Sequence, residues 1–387
     1  MKILVNTARI IVGVLFIFSG LVKANDPLGL SYKMQEFFEV WSQNPFLTKT
    51  MFWLYNYALP FSIITITLEI IVGVGILLGT WKKFFSLLLL LLIIFFTFLT
   101  GYAVLSGKIA TCGCFGDCIP LTAMQSFIKD LVLFALIVLI FFGTKYIKPV
   151  LTTGANSLIL VICVFIVLGF QWFVLRHMPV VDCLPFKKGN NLIGLRKMPA
   201  NAVADIKGFK FFYKKAGTEQ EYSKDNLPDS TWEFVRREDY IIEKGKNNEP
   251  PIKDFYLTTL SGGDSTDAML NTEGEYFLFF VKDLSTGTDY WLDNFTAIYT
   301  LAKRKNIPLV IVASQATASQ QFFNERNNYH VPVLSLDATA LKTAARTNPQ
   351  LYLMKGPEVE NKWGWADFKK AIRDLDKDTG NEKRPGK

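Results

Sequence analysis

Long apolar runs fill the first 178 residues, and short alternating runs replace them afterwards. A helix needs about 20 apolar residues to cross a hydrocarbon core. Five stretches meet that length, roughly residues 3–23, 53–79, 84–106, 121–143 and 157–175. Each is too apolar for a surface helix, so the pattern predicts five membrane spans. The first carries Lys2 and small residues, as an export signal does. Arg9 interrupts it early, however, and no small-x-small site precedes Lys23-Ala24-Asn25-Asp26-Pro27, so it reads as a retained helix. Gly73, Gly75 and Gly79 are small residues at helical spacing and favour close helix packing.

The second half has an ordinary globular pattern. Residues 179–205 contain Pro, Lys and Gly and read as a linker leaving the membrane. Residues 206–265 hold short alternating runs at 209–213, 232–235 and 240–242, predicting a small antiparallel sheet. Over residues 273–376 the order is strand 276–281, helix 290–305, strand 308–313, helix 318–327, strand 331–336 and a helical turn at 341–346. A hairpin at 350–363 around Gly356 and a helix at 365–375 complete it. Residues 377–387 read as a charged, frayed tail. The expected architecture is a helical membrane bundle over residues 1–148, a fifth transmembrane helix within 149–178, and an α+β part outside the membrane.

Charge sets an expected orientation. The first 178 residues hold 12 Lys and Arg against 6 Asp and Glu. Lys2, the Lys82-Lys83 doublet, Lys145 and Lys148 fall on alternate ends of the spans, and basic short loops face the cytoplasm. Lys23, Lys33, Lys49 and Lys108 fall on the opposite side. This pattern predicts a cytoplasmic N-terminus, with the loop near residue 112 and everything beyond about residue 178 outside. In a bacterial inner membrane that side is the oxidising periplasm, where disulfides persist. The net charge of +8 is spread over loops flanking the bilayer, so the partner it implies is the lipid bilayer and not nucleic acid. Phosphate-loop, dinucleotide and H-E-x-x-H patterns are absent from the sequence, which has two histidines.

Chemistry concentrates in Cys112-Gly113-Cys114-Phe115-Gly116-Asp117-Cys118, which holds three of five cysteines between two apolar runs. Cys183 follows the last span closely, and Cys163 sits inside that span as a packing residue. The four outer cysteines allow three complete pairings, and spacing does not choose among them. Thiol–disulfide exchange, structural bridges and a zinc clip all remain open. A Cys112–Cys114 bridge would close a very small ring, whereas Cys114–Cys118 or Cys118–Cys183 would be more relaxed. Arg9, Glu69, Lys129 and Asp130 lie within predicted spans and need partners or a water-filled cavity. They predict interhelical salt bridges, or a proton path or headgroup site for a lipid-soluble electron acceptor.

Residues 15–23 followed by Asp26-Pro27 resemble the opening of the DoxX family of small membrane proteins. Cys112-Gly113-Cys114-Phe115-Gly116, then Leu121-Thr122 and Lys129-Asp130, resembles the MauE branch of that superfamily over roughly residues 1–145. Val180-Val181-Asp182 and Pro185-Phe186-Lys187-Lys188-Gly189 look like a wider group from Bacteroidota with a large extramembrane part. The resemblance implies a four-helix redox-associated bundle that supports disulfide formation or maintenance in exported proteins. Its layout is similar to quinone-linked disulfide oxidases. Cys112, Cys114, Cys118 and Cys183 would exchange thiols with an exported protein or a thioredoxin-like carrier. A quinone or a proton path would lie near Glu69, Lys129 and Asp130. This chain departs from those oxidases in having C-x-C and C-x-x-x-C instead of C-x-x-C.

The element order over residues 273–376 resembles a thioredoxin-like fold, with Asn348-Pro349 where that fold places a cis-proline. Residues 282–289, where its active-site cysteines would stand, contain none. Such a domain does not exchange dithiols itself, and would bind an extended chain or a partner or serve structurally. The competing reading of the whole chain is a non-enzymatic scaffold or assembly factor of the cell envelope, with structural disulfides.

Overall fold

The computed structural model describes residues 1–109, 113, 116–215, 217–243, 245–285 and 287–381. The membrane half contains helices α1 (Lys2–Ala24), α2 (Pro27–Ser42), α3 (Thr48–Asn56), α4 (Ala58–Leu78), α5 (Lys82–Ser106), α6 (Ala123–Phe142) and α7 (Thr153–His177). Five of these, α1, α4, α5, α6 and α7, are long and apolar enough to cross a membrane. The predicted span 53–79 is not one helix. Pro60 lacks an N–H and its ring would clash with the carbonyl four residues back, so the helix restarts after Asn56. Helix α2 has no counterpart among the predicted elements. Asp26 caps it, with Oδ1 accepting from the Gly29 N–H at 3.1 Å, and Pro27 opens the first turn.

Helix α1 packs on α4 and α6, α5 on α6, and α4 on α7. The α1–α4 contact is close because small residues face each other there. A Cβ on Gly73 would lie 2.9 Å from the Gly13 carbonyl oxygen. Arg9 donates to the Leu77 carbonyl and, at 3.3 Å, to that of Lys148, and Lys82 Nζ reaches the Ile147 carbonyl at 2.9 Å. These bonds gather the α4–α5 and α6–α7 connections at one end. Helices α2 and α3, the α5–α6 loop and the exit from α7 occupy the other.

The segment 179–205, expected to be a linker, is packed instead. Phe186 and Leu192, the latter in the short helix α8 (Leu192–Leu195), enter an apolar core with Phe255, Tyr276, Phe280, Leu341 and Tyr352. Strands β1 (Ile206–Lys215), β2 (Thr218–Ser223) and β3 (Glu233–Glu243) form an antiparallel sheet in the order β2-β1-β3. The predicted runs 232–235 and 240–242 are therefore parts of one strand. Arg236-Arg237-Glu238-Asp239 hides its continuity in sequence. On this edge strand those charges pair with each other, Arg236 with Glu238 at 2.9 Å and Arg237 with Asp239 at 2.7 Å.

Helix α9 (Thr266–Leu270) precedes a second, mixed sheet. Its elements are β4 (Glu275–Val281), α10 (Asp289–Lys305), β5 (Leu309–Ala313), α11 (Ala316–Gln320), β6 (Val333–Ser335), α12 (Ala338–Ala344), β7 (Gln350–Lys355), β8 (Glu358–Gly364) and α13 (Phe368–Asn381). The strand order is β6-β5-β4-β7-β8. Strands β4, β5 and β6 run parallel, and β7 and β8 are antiparallel to their neighbours. Every residue of β4 after Glu275 is buried, because both faces of the sheet are covered. Phe279, Trp291, Phe295, Phe323 and Phe368 fill one side, and the core containing Phe186 fills the other. The Asn348–Pro349 bond is cis. Helix α13 runs on to Asn381, into the stretch expected to fray.

Candidate functional site

Two places in the fold concentrate chemistry: the junction between the bundle and the mixed sheet, and a cavity inside the bundle. At the junction Cys118 and Cys183 form a disulfide with Cα atoms 4.8 Å apart. Cys118 lies in the loop between α5 and α6, and Cys183 lies six residues beyond α7. This is one of the pairings the sequence left open. Cys112 and Cys114 lie outside the described residues. Cys163 is a free cysteine on α7.

An aspartate precedes each bridged cysteine, and each meets a cation, one from the turn before β7 and one from β8. Asp117 Oδ2 accepts from Arg346 Nη2 at 2.7 Å, and Asp182 pairs with Lys362 of β8. Arg346 also donates through Nε to Asp26 Oδ2 at 2.7 Å. The Arg346 side chain is 7 % exposed, so its charge depends on these two carboxylates. Asn25 exchanges two bonds with the Val181 backbone, at 2.8 and 3.0 Å.

The end of β4 meets the bundle next to this pair. Lys282 Nζ donates to the Tyr32 hydroxyl at 3.0 Å and to the Arg346 carbonyl at 3.2 Å. Burial pulls the Lys282 ammonium down to about 7, and the positive charge of Arg346 adds to the effect. Burial pushes the Tyr32 phenol up to about 12. Lys342 of α12 reaches Gln35 Oε1 at 3.1 Å. The turn before β7 is tied to the end of β4 by Asn348, whose Oδ1 accepts from the Lys282 N–H at 2.9 Å. Gln350 holds the same turn from the other side, with Oε1 accepting from the Arg346 N–H at 2.8 Å and Nε2 facing Met178 Sδ at 3.1 Å. Strand β8 ends against the exit of α7. A Cβ on Gly364 would lie 2.7 Å from the Arg176 carbonyl oxygen, so glycine permits that approach.

The second place is a cavity of about 380 Å³ within the bundle. Phe16, Ile93, Phe96 and Leu133 give it apolar walls, and Lys23, Glu69, Lys129 and Asp130 give it polar heads. Lys23 Nζ and Glu69 Oε2 are 2.6 Å apart, at 4 % and 3 % exposure. Lys129 pairs with Asp130 at 2.9 Å, and Thr100 donates to Asp130 Oδ2 at 3.1 Å. Lys23 also lies over the Phe96 ring, 4.8 Å from its centroid. Leu121 and Gln125, just past Cys118, reach the same cavity.

Glu69, Lys129 and Asp130, selected from sequence, thus share one cavity. Lys23 completes it, although sequence placed it among the outer-loop charges. The junction residues Asp26, Tyr32, Asp117, Asp182, Lys282, Arg346 and Lys362 were not selected. The repeated Asp-Cys dipeptide at 117–118 and 182–183 is a signal that could have found two of them.

Residues 1–143 match the family model described as Methylamine utilisation protein MauE, and the chain carries a MauE family domain there. Residues 209–244, which span β1 to β3, match a domain of unknown function (DUF8463). No curated protein matches the chain, and no solved structure does.

Proposed function

We propose, from the MauE family domain and the bridge on its rim, that this membrane protein exchanges thiols and disulfides with exported proteins. In this reading the end carrying α2, the α5–α6 loop and the mixed sheet faces the periplasm, and the N-terminus is cytoplasmic. Lysines at the opposite end of the spans support that orientation. The observation that carries the reading is the Cys118–Cys183 bridge at the membrane rim, in the loop that also contains Cys112 and Cys114. Two thiols of an exported protein attack this set of cysteines through a mixed disulfide. The client gains a disulfide and loses two electrons and two protons, and two thiols form here. Cys112 and Cys114 are the second pair of a relay with Cys118 and Cys183.

A quinone would be held in this cavity and, when bound, would supply the acceptor for the electron pair. Apolar walls suit its ring, and Lys23 and Lys129 are donors for its carbonyl oxygens. Glu69 and Asp130 sit beside those lysines as proton carriers.

The mixed sheet is thioredoxin-like in this reading. Its β4-α10-β5 unit, the antiparallel pair β7–β8, the closing α13 and the cis bond before β7 all support the likeness. Without cysteines after β4, it serves in binding and not in exchange. A scaffold reading, with a purely structural bridge, draws support from the internal network around Arg346.

Single Cys→Ser variants at 112, 114, 118 and 183, assayed together for trapped partners and melting temperature, decide between the two readings. Exchange predicts that at least one variant accumulates a mixed disulfide with an exported protein. Equal loss of stability in all four, with no trapped partner, favours the scaffold.

A further inference from the structure

The Asp-Cys repeat links the bridge to the docking of the mixed sheet. Asp117-Cys118 comes from the α5–α6 loop, and Asp182-Cys183 comes from the chain leaving α7. Joining the two cysteines brings the two segments together, with the cysteine Cα atoms 4.8 Å apart. Each carboxylate then meets a mostly buried cation on the far side of the junction, Arg346 before β7 and Lys362 on β8. Burial lowers the Lys362 ammonium despite the nearby Asp182, so this cation depends on its partner to stay charged. Arg346 has a second carboxylate, Asp26, on a different element of the bundle.

We infer that the Cys118–Cys183 bridge is a latch whose oxidised form docks the mixed sheet on the bundle rim. It works by presenting Asp117 and Asp182 to Arg346 and Lys362. The inference rests on exchange at this bridge and adds its consequence. When a client dithiol reduces the bridge, the client's two thiols become a disulfide, and Cys118 and Cys183 become thiols. The α5–α6 loop and the α7 exit are then no longer tied. Asp117 regains chain freedom, so Arg346 loses one of its two fixed carboxylates in a poorly solvated place, while the Asn25–Val181 bonds still hold the segment of Asp182. The Asp26–Arg346, Lys282–Tyr32 and Lys342–Gln35 contacts remain, so the sheet loosens at this edge without leaving the bundle. The turn 346–350, which meets the rim through Arg346 and Gln350, is what loosens and becomes accessible. The cysteine-free domain thereby reads the redox state of cysteines it does not contain.

The test is amide hydrogen exchange on the full chain in nanodiscs, oxidised and after chemical reduction with a phosphine. A second sample, the D117N/D182N double variant, keeps the bridge intact. The inference predicts that exchange at residues 346–350 rises about fivefold or more on reduction, the scale of losing partly exposed ion pairs. The double variant should show the same rise while still oxidised, and exchange in β5 should stay unchanged in both. Unchanged exchange at the junction on reduction would overturn the latch, as would a rise confined to the two cysteine-bearing segments. A phosphine needs no client, so the result does not depend on partner trapping. If clients are trapped and the junction does not respond, exchange stands and the latch fails. If the junction responds and nothing is trapped, the latch stands without the client.

Discussion

Arg346 reaches Asp117 at 2.7 Å through one end of its guanidinium and Asp26 at 2.7 Å through another. The two carboxylates differ in exposure, at 16 % for Asp26 and 45 % for Asp117. Water screens the second pair far more than the first. D26N should therefore cost about 3–5 kcal/mol, the scale for stranding one partner of a buried pair. D117N alone should cost about 0–1 kcal/mol. Denaturant melts of the extramembrane part, with the bridge oxidised throughout, check this ranking.

The pH dependence of the junction follows from Lys282. Its folded pKa lies near 7, against an ordinary value of 10.5. Between those values the unfolded chain holds a proton that the folded one has released. Stability therefore rises with pH from about 7 to about 10.5, and this lysine adds no further slope below 7. K282M should remove that rise. Tyr32 acts in the opposite sense above about 10, because its folded pKa is raised to about 12. Urea midpoints of the two proteins across pH 6 to 10 would show the difference.

The Lys23–Glu69 pair separates structural from ligand roles. E69Q leaves a buried ammonium without its partner and should destabilise the bundle by about 3–5 kcal/mol. Replacing both, as K23M/E69M, removes two buried charges together and should be near neutral for stability. The double variant, which removes the Lys23 donor, should lose binding of a ubiquinone analogue, measured by fluorescence quenching in nanodiscs. Retained binding in a folded double variant would remove the cavity from the electron path.

Much of the architecture was legible because membrane spans and buried strands are written in long or dense apolar patterns. The five spans, β4 and β7 carry such runs, and α10 carries an apolar stripe at helical spacing. Helix α2 was missed because its sequence is mixed, although Asp26-Pro27 is a helix-start signal. Strand β3 was split because its central charges pair along the strand with each other. Residues 179–205 looked like a linker because polar residues outnumber the few that matter, Phe186 and Leu192. The cavity residues were legible because ionisable groups in apolar spans are conspicuous. The junction was not, since Arg346 and Asp117 are 229 positions apart and each is ordinary in its own context.

Sidedness has its own consequence. Protease added to spheroplasts should remove the mixed sheet while leaving the spans intact, and an impermeant maleimide should label Cys118 or Cys183 after reduction. Labelling only after the inner membrane is broken would reverse the orientation and place the bridge in a reducing compartment.

The most direct test of exchange is the reduction potential of the Cys118–Cys183 bridge. The full chain is equilibrated with graded dithiol buffers, and alkylation at each cysteine is read by mass spectrometry. Structural bridges in exported proteins fall below about −300 mV, whereas labile exchanging ones lie above it. Exchange with exported proteins predicts a potential well above about −300 mV, with Cys118 and Cys183 titrating together. A value below that mark would make the bridge a structural tie and contradict the central claim.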